Sequence, residues 1–234
     1  MINPEYELLT VNKQINGSTI DLAATGEIDA CTAPHLTQEL KNSIDAKTYF
    51  KSRNIGFEAM DYFKLGYSEK QNMVTVPLHS PDGIPVGIIG RSIKGKSFKN
   101  SVNLPRNKTM FNIHRAKREG GTIIVCESSF DVIRLWQAGF PNAVGTLGGS
   151  ISDINIQHLN KYASTIIVMT DNDNAGRALG HTIANKLKNK NILWASYDYG
   201  IVYPHSAKDV GDLTDEEIKQ CIKNAIPHFE YAIL

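Results

Sequence analysis

The chain has 234 residues, 25 Lys+Arg against 24 Asp+Glu, 41% hydrophobic residues and three cysteines. That length suits one large domain or two small ones, and the composition is ordinarily globular. No apolar run approaches the roughly 20 residues that span a bilayer. The first residues lack the basic flank and apolar core of a secretory signal, and Cys31, Cys126 and Cys221 form no CxxC pair. A cysteine zinc site, a disulfide framework and a membrane protein are therefore disfavoured, and a cytoplasmic location is expected.

Along the chain, residues 6–29 read as a hairpin, with strands at Tyr6–Val11 and Thr19–Ala23 and a turn at Asn16-Gly17. Thr32 can cap a helix with Pro34 in its first turn, running through Leu36, Leu40, Ile44 and Tyr49 to about Arg53. A short helix, Phe57 to Phe63, follows. Met73–Leu78 and Pro85–Ile89 form a second hairpin through Ser80-Pro-Asp-Gly83, where Pro presets φ and Gly accepts a positive φ. Residues 90–118 look irregular and basic, and Gly120-Gly121 marks a boundary. Beyond it strands alternate with helices: strands at about 122–126, 143–146, 165–170 and 191–197, and helices at about 130–139, 152–162, 174–189 and 214–224. Such alternation predicts a parallel sheet.

The net charge of +1 hides an asymmetry. Residues 1–40 are net −5, residues 41–118 net +10 and residues 119–234 net −4. No acid lies between Asp82 and Glu119, whereas nine basic residues do, among them Arg91, Lys94, Lys96, Lys99, Arg106 and Lys108. A basic segment beside an acidic one points to a polyanion held near a cation site, although a solvated basic loop gives the same composition.

The acids of the second half sit at strand ends. Glu127 follows Thr122-Ile-Ile-Val-Cys126, Asp171 follows Thr165-Ile-Ile-Val-Met-Thr170, and Asp173 is two residues on. The C-terminal edge of an open parallel sheet is where ligands bind. Clustered carboxylates there suit a hard cation such as Mg²⁺ or Mn²⁺. Asp131 shares a face with Glu127 if the helix begins early. Lys208-Asp209-Val-Gly-Asp212 supplies a third acidic group, and Arg177 can face phosphate or steady the acids. For each acid there is a plainer reading: a solvated loop, or a carboxylate favoured by a helix N-terminus. His205 reads as a surface residue. Gly145-Thr-Leu-Gly148-Gly149-Ser150 can offer backbone amides to phosphate, but it is neither a Walker A nor a GxGxxG sequence.

Glu127-x-x-x-Asp131, Leu147-Gly148, Asp171-x-Asp173-x-Ala-Gly-Arg177 and Lys208-Asp209 resemble the Toprim domain over about residues 119–212. Within that group the chain is similar to bacterial and phage DnaG-type primases. Glu127-Ser-Ser-Phe-Asp131-Val-Ile-x-Leu-x-Gln-Ala-Gly139 resembles their "EGxxDVIALxQAG" segment. Tyr49-Phe-Lys-Ser-Arg53-Asn-Ile, Phe63-x-Leu-Gly66-Tyr67, Val76-Pro-Leu, Asp82-Gly83, Val86-Gly87 and Gly90-Arg91 resemble their basic half.

The resemblance implies an α/β Toprim fold, with a mostly parallel four-stranded sheet flanked by helices, preceded by a smaller basic α+β subdomain. It divides the chain into residues 1–44 (hairpin and helix accessory), 45–118 (basic subdomain) and 119–234 (catalytic domain with C-terminal helix). It implies RNA primer synthesis on single-stranded DNA from ribonucleoside triphosphates, with two or more divalent ions. Glu127, Asp171 and Asp173 take the principal acidic positions, and Asp131, Asp209 and Asp212 complete the expected metal set. Arg91, Lys94, Lys96, Lys99, Asn100, Arg106, Lys108, Arg177 and Lys208 are the expected nucleic-acid or nucleotide contacts.

Two departures qualify the match. Ser128 stands where the family usually has Gly, and the zinc-binding and helicase segments of the family are not in this sequence. A compact, phage- or mobile-element-encoded core is expected, working with a helicase or a separate zinc-domain protein. A Toprim nuclease and a non-catalytic nucleic-acid-binding module are the alternatives.

Overall fold

The computed structural model describes residues 11–15, 18–22, 33–195, 197 and 207–231. Near the N-terminus β1 (Val11–Ile15) pairs with β2 (Ser18–Leu22) in an antiparallel hairpin. The expected first strand at Tyr6–Val11 and the Asn16-Gly17 turn lie outside the described residues, apart from Val11. The described first strand starts at Val11. The Thr32 cap and His205 are also outside them.

The single helix expected up to Arg53 is two: α1 (Ala33–Asn42) and α2 (Ile44–Ser52). Ser43 interrupts it, with an extended backbone and a hydroxyl that accepts the Ala46 N–H at 3.1 Å. A side chain that caps a new helix removes its residue from the old one. Asn54, at φ 56°, closes α2 in the left-handed region. Then come α3 (Phe57–Tyr62), β3 (Gly66–Ser68), β4 (Met73–His79) and β5 (Pro85–Ser92).

The segment that reads as irregular in sequence also holds β6 (Phe98–Asn100) and a short helix α4 (Ile113–Ala116). The β3–β6 strands form one antiparallel sheet in chain order. Gly83 adopts φ 85° at the tip of the β4–β5 hairpin, as its Pro-Asp-Gly sequence requires.

The second half runs β7 (Thr122–Cys126), α5 (Ser129–Gln137), β8 (Ala143–Gly145), α6 (Asp153–Tyr162), β9 (Thr165–Val168), α7 (Asn174–Lys186), β10 (Asn191–Trp194), α8 (Asp215–Lys223), β11 (Ile226–Pro227) and α9 (His228–Tyr231). Strand order is β11-β10-β9-β7-β8. The four expected strands are parallel, and a fifth, β11, adds antiparallel to β10. With only two residues, β11 carries no alternating pattern to read.

Side chains alternate across this sheet. Ile123, Val125, Ile166, Val168, Ile192 and Trp194 pack with α6 and α7 on one face. Ile124, Cys126, Ile167 and Met169 face the other, where one continuous apolar cluster takes in Phe50, Phe63, Val76, Phe130 and Ile218. The antiparallel sheet, the first helices, α5 and α8 thus share a core with the parallel sheet. Arg134 of α5, buried, reinforces that junction by donating to the carbonyls of Asn54 and Leu213 and pairing with Asp215 at 2.8 Å. Among the described residues no helix is long and apolar enough to cross a membrane.

Candidate active site

The acidic edge is assembled by strand register. β7 and β9 pair in parallel with Val125 opposite Val168, and the ladder continues through Met169 N–H donating to Val125 carbonyl. Both chains therefore leave the sheet side by side, at Glu127 and Asp171. The Asp171 N–H donates to Glu127 Oε1 at 3.2 Å. The Asp209 segment is tied to the same corner: Asn172 N–H donates to the Lys208 carbonyl at 2.7 Å and Asn172 Nδ2 to the Ala207 carbonyl at 3.2 Å.

These carboxylates raise one another's pKa. Burial, then the charges of Asp131, Glu127, Asp209 and Asp173, push Asp171 up to about 8. Burial and Asp209 push Asp131 up to about 7, against the lowering effect of the Ser128 hydrogen bonds. Glu127 is raised by burial and Asp173, although the Asp171 N–H opposes this. Asp209 is raised by burial and Asp212 and drawn back by Arg53 and Arg91.

Not every acid has its oxygens free. Helix α5 begins at Ser129, so Glu127 lies outside it, and Asp131 does not share a helical face with it as expected. Asp131 instead closes a capping box: its Oδ2 accepts the Ser128 N–H at 3.0 Å, and Ser128 Oγ accepts the Asp131 N–H at 3.2 Å. That gives Ser128 a use that a glycine could not serve. Asp173 caps α7, its Oδ1 accepting the Gly176 N–H at 2.8 Å. Asp212 accepts the Lys208 N–H at 2.8 Å. Arg177 donates to the side-chain oxygens of Asn172 and Asn174. Among the described residues no three acidic, histidine or cysteine side chains stand close enough to enclose an ion as they are.

A cleft of about 350 Å³ joins this edge to the antiparallel sheet. Glu127, Ser128, Asp171, Leu147 and Gly148 line one side, and Ile89, Phe98, Asn100 and Arg106 the other. Arg91 lies between two rings, its guanidinium 5.3 Å from the Phe98 centroid and 5.1 Å from the Phe130 centroid. Asn100 and Arg106 are thus brought to the acids. Lys94, Lys96, Lys99, Lys108 and Lys208 are exposed and outside the lining. Arg53 was not singled out in the sequence as a contact, yet with Arg91 it acts on Asp209. Its signal was available, because it sits inside the Tyr49–Ile55 stretch that resembles primases.

Residues 124–214 match the Toprim-like family. The DNA primase of Mycoplasma genitalium is 26% identical over 189 residues, covering 77% of this chain and 30% of that protein. The Aquifex aeolicus primase structure (zinc-binding and RNA polymerase domains) superposes with a TM-score of 0.72 at 22% identity, over 86% of this chain and 60% of that one. A DnaG primase catalytic domain bound to single-stranded DNA gives 0.69 at 17% identity, over 84% and 77%. The chain has the fold of the DnaG primase catalytic core, with a Toprim-like region within it. It spans less than half the length of the curated primases it matches. In that core, the acids of the Toprim-like region and the strands that precede it face each other across the cleft.

Proposed function

We propose that this chain is the polymerising core of a primase, joining ribonucleotides into short primers on single-stranded DNA. The observation that carries the reading is the cleft with Glu127 and Asp171 on one side and Asn100 and Arg106 on the other. The donor set suits divalent cations: all carboxylate oxygens, with pKa values raised by burial and then by mutual repulsion, both of which a cation relieves. Glu127, Asp171 and Asp209 would hold Mg²⁺ or Mn²⁺, with Asp173 beside them. Asp131, buried in the α5 capping box, and Asp212, which accepts the Lys208 N–H, would support from behind. Bound divalent ions would neutralise phosphate charge and favour attack by a 3′ hydroxyl. Arg91, Arg106 and Asn100 would orient the nucleotide, and Arg53 would balance Asp209. Lys94, Lys96, Lys99, Lys108, Arg177 and Lys208 would track the template electrostatically.

The division into residues 1–44, 45–118 and 119–234 belongs to this reading, as do a helicase or zinc-domain partner and a cytoplasmic site of action. The test is incubation with single-stranded template, Mg²⁺ or Mn²⁺ and labelled ribonucleotides, with and without such a partner. Oligonucleotides that vanish in an Asp171→Ala/Asp173→Ala variant are expected. No product under any condition overturns the reading, and metal-dependent cutting of DNA without nucleotides would favour the nuclease instead.

A further inference from the structure

The cleft's basic wall is a loop without regular structure, Ser101 to Asn112. Its ends are anchored by Ser101 N–H on the Ile88 carbonyl and by the Phe111–Gly145 bridge. Thr109 Oγ1 donates to the His79 carbonyl, and Arg106 Nη1 reaches the Leu147 carbonyl at 3.4 Å. Between Ser101 and Lys108 the backbone bonds are short-range turns: Leu104 N–H to Ser101 carbonyl, Arg106 N–H to Leu104 carbonyl and Lys108 N–H to Pro105 carbonyl. Asn103 adds a left-handed residue at φ 56°. Such turns alone leave a loop free to choose among conformations. Yet four successive carbonyls, Arg106 to Thr109, are each taken by a side chain of α6 or its cap: Ser152, Asn155 and His158. Ser152 Oγ donates to Asn107 at 2.6 Å, and Asn155 Nδ2 donates to both Arg106, at 3.2 Å, and Thr109, at 3.3 Å. The His158 ring nitrogen bonds Lys108 at 3.2 Å.

Asn155 is the centre of this arrangement. It is 2% exposed, and both its amide hydrogens go to loop carbonyls. Its Oδ1 is buried without a partner. The flipped amide would set that oxygen against two carbonyl oxygens, so the pair of donors fixes the orientation. An apolar residue would fill the place with no orphaned oxygen, and a buried amide is explained by the loop it holds.

We propose that Asn155 is a positioning residue that fixes the Pro105–Thr109 backbone and thereby presents Arg106 in the cleft, and Lys108 beside it, to the nucleic-acid backbone. The last clause rests on the primase reading; the hold on the loop does not.

The test uses the full chain and the Asn155→Ala, Arg106→Ala and double variants, with Ser152→Gly as a second route to the same loop. Gly is tolerated as a helix cap, so that variant loses the Asn107 bond with α6 largely kept. Hydrogen exchange of residues 103–109 is expected to quicken by about tenfold or more in Asn155→Ala, with 122–126 unchanged. Binding of a labelled oligo-dT, read by anisotropy from low to high salt, is expected to weaken with a log–log salt slope shallower by about 0.7 to 1.4, the loss of one or two phosphate contacts on a single strand. The double variant is expected to lose less than the sum of the two single losses, because the Arg106 contact is counted in both.

Unchanged loop exchange in both Asn155→Ala and Ser152→Gly overturns the proposal, as does a weakened affinity with an unaltered slope or with additive effects. Should the native chain bind no oligo-dT at all, the primase reading falls and the role toward nucleic acid with it. The exchange measurement still decides the hold on the loop.

Discussion

Gly176 decides whether Asp171 can stand where it does. The glycine sits in the first turn of α7, with its N–H on Asp173 Oδ1 and its carbonyl accepting the Thr170 hydroxyl at 2.7 Å. A Cβ there would lie 2.0 Å from the Asp171 carbonyl oxygen and 2.8 Å from its N and C atoms. Real Cβ contacts essentially never fall below 3.0 Å, so Gly176→Ala must move the Asp171 peptide or the helix start by about 1 Å. Overpacking of that kind costs about 1–3 kcal/mol, partly offset by the roughly 1 kcal/mol gain in helix propensity from Gly to Ala. The melting midpoint should therefore fall by only a few degrees, at about 2–4 °C per kcal/mol for a chain of this size. A 1 Å misplacement of a reacting group can cost about 100-fold in rate. The expected signature is thus a primer-synthesis rate down about 100-fold with a nearly native thermal melt. Gly149→Ala is the control: its Cβ meets Glu127 Oε2 at 3.5 Å, an ordinary contact. Near-native synthesis by Gly176→Ala, or an equal loss in Gly149→Ala, would refute the reasoning.

Other outcomes follow from the same geometry. Arg134→Met removes three charge-assisted bonds at the junction of the two halves, one to a half-exposed Asp215 that counts for less. A loss of about 3–4 kcal/mol is expected in chemical denaturation. Burial and the neighbouring Arg115, His79, Arg118 and Lys117 push His114 down to about 3. Its protonation is disfavoured in the fold, so stability is full above the unfolded value near 6.5 and falls as pH drops from there toward 3. His114→Gln should lose less stability than the parent between pH 7 and 5, measured by urea titration. Asp171 has the opposite sign: its raised pKa means the metal-free fold loses stability as pH rises from about 4 to about 8. Mg²⁺ should therefore raise the melting midpoint more at pH 8 than at pH 6, and Asp171→Asn should shrink that difference.

The sequence made the acidic edge legible because its signals are local. An apolar run ending in a carboxylate needs no knowledge of distant residues, and Glu127 and Asp171 do stand together. The hairpin through Pro81-Asp82-Gly83 was legible for the same reason. What escaped depends on contacts remote in the chain. β6 has three residues, two of them exposed, and becomes a strand only by pairing with β5. The break at Ser43 turns on one side-chain cap inside an otherwise continuous helical pattern. Asn155 reads as an unremarkable helix residue, because its partners are 46 and 49 residues away. Asp131 reads in sequence as a helix-start carboxylate and a candidate ligand, whereas its spacing from Ser128 also makes it the N3 partner of a capping box; for Asp173 the plainer helix-cap reading holds.

The graded electrostatics of the cleft follow from that division between local and remote. The Toprim-like region alone brings together Glu127, Asp131, Asp171 and Asp209, whose pKa values all rise. The counter-charge on Asp209 comes from Arg53 and Arg91, which belong to the first half of the chain and reach the acids only because both halves share one core. Asp209 is therefore the partly compensated end of the cluster and Asp171 the uncompensated end, pushed up to about 8. On the primase reading, a divalent ion is drawn most strongly toward Asp171 and Glu127, while a nucleotide's phosphates meet Arg91 and Arg106. A Toprim-like region separated from residues 45–118 would keep the acids and lose this polarity. On the primase reading the basic half is in this sense part of the site and not an accessory to it.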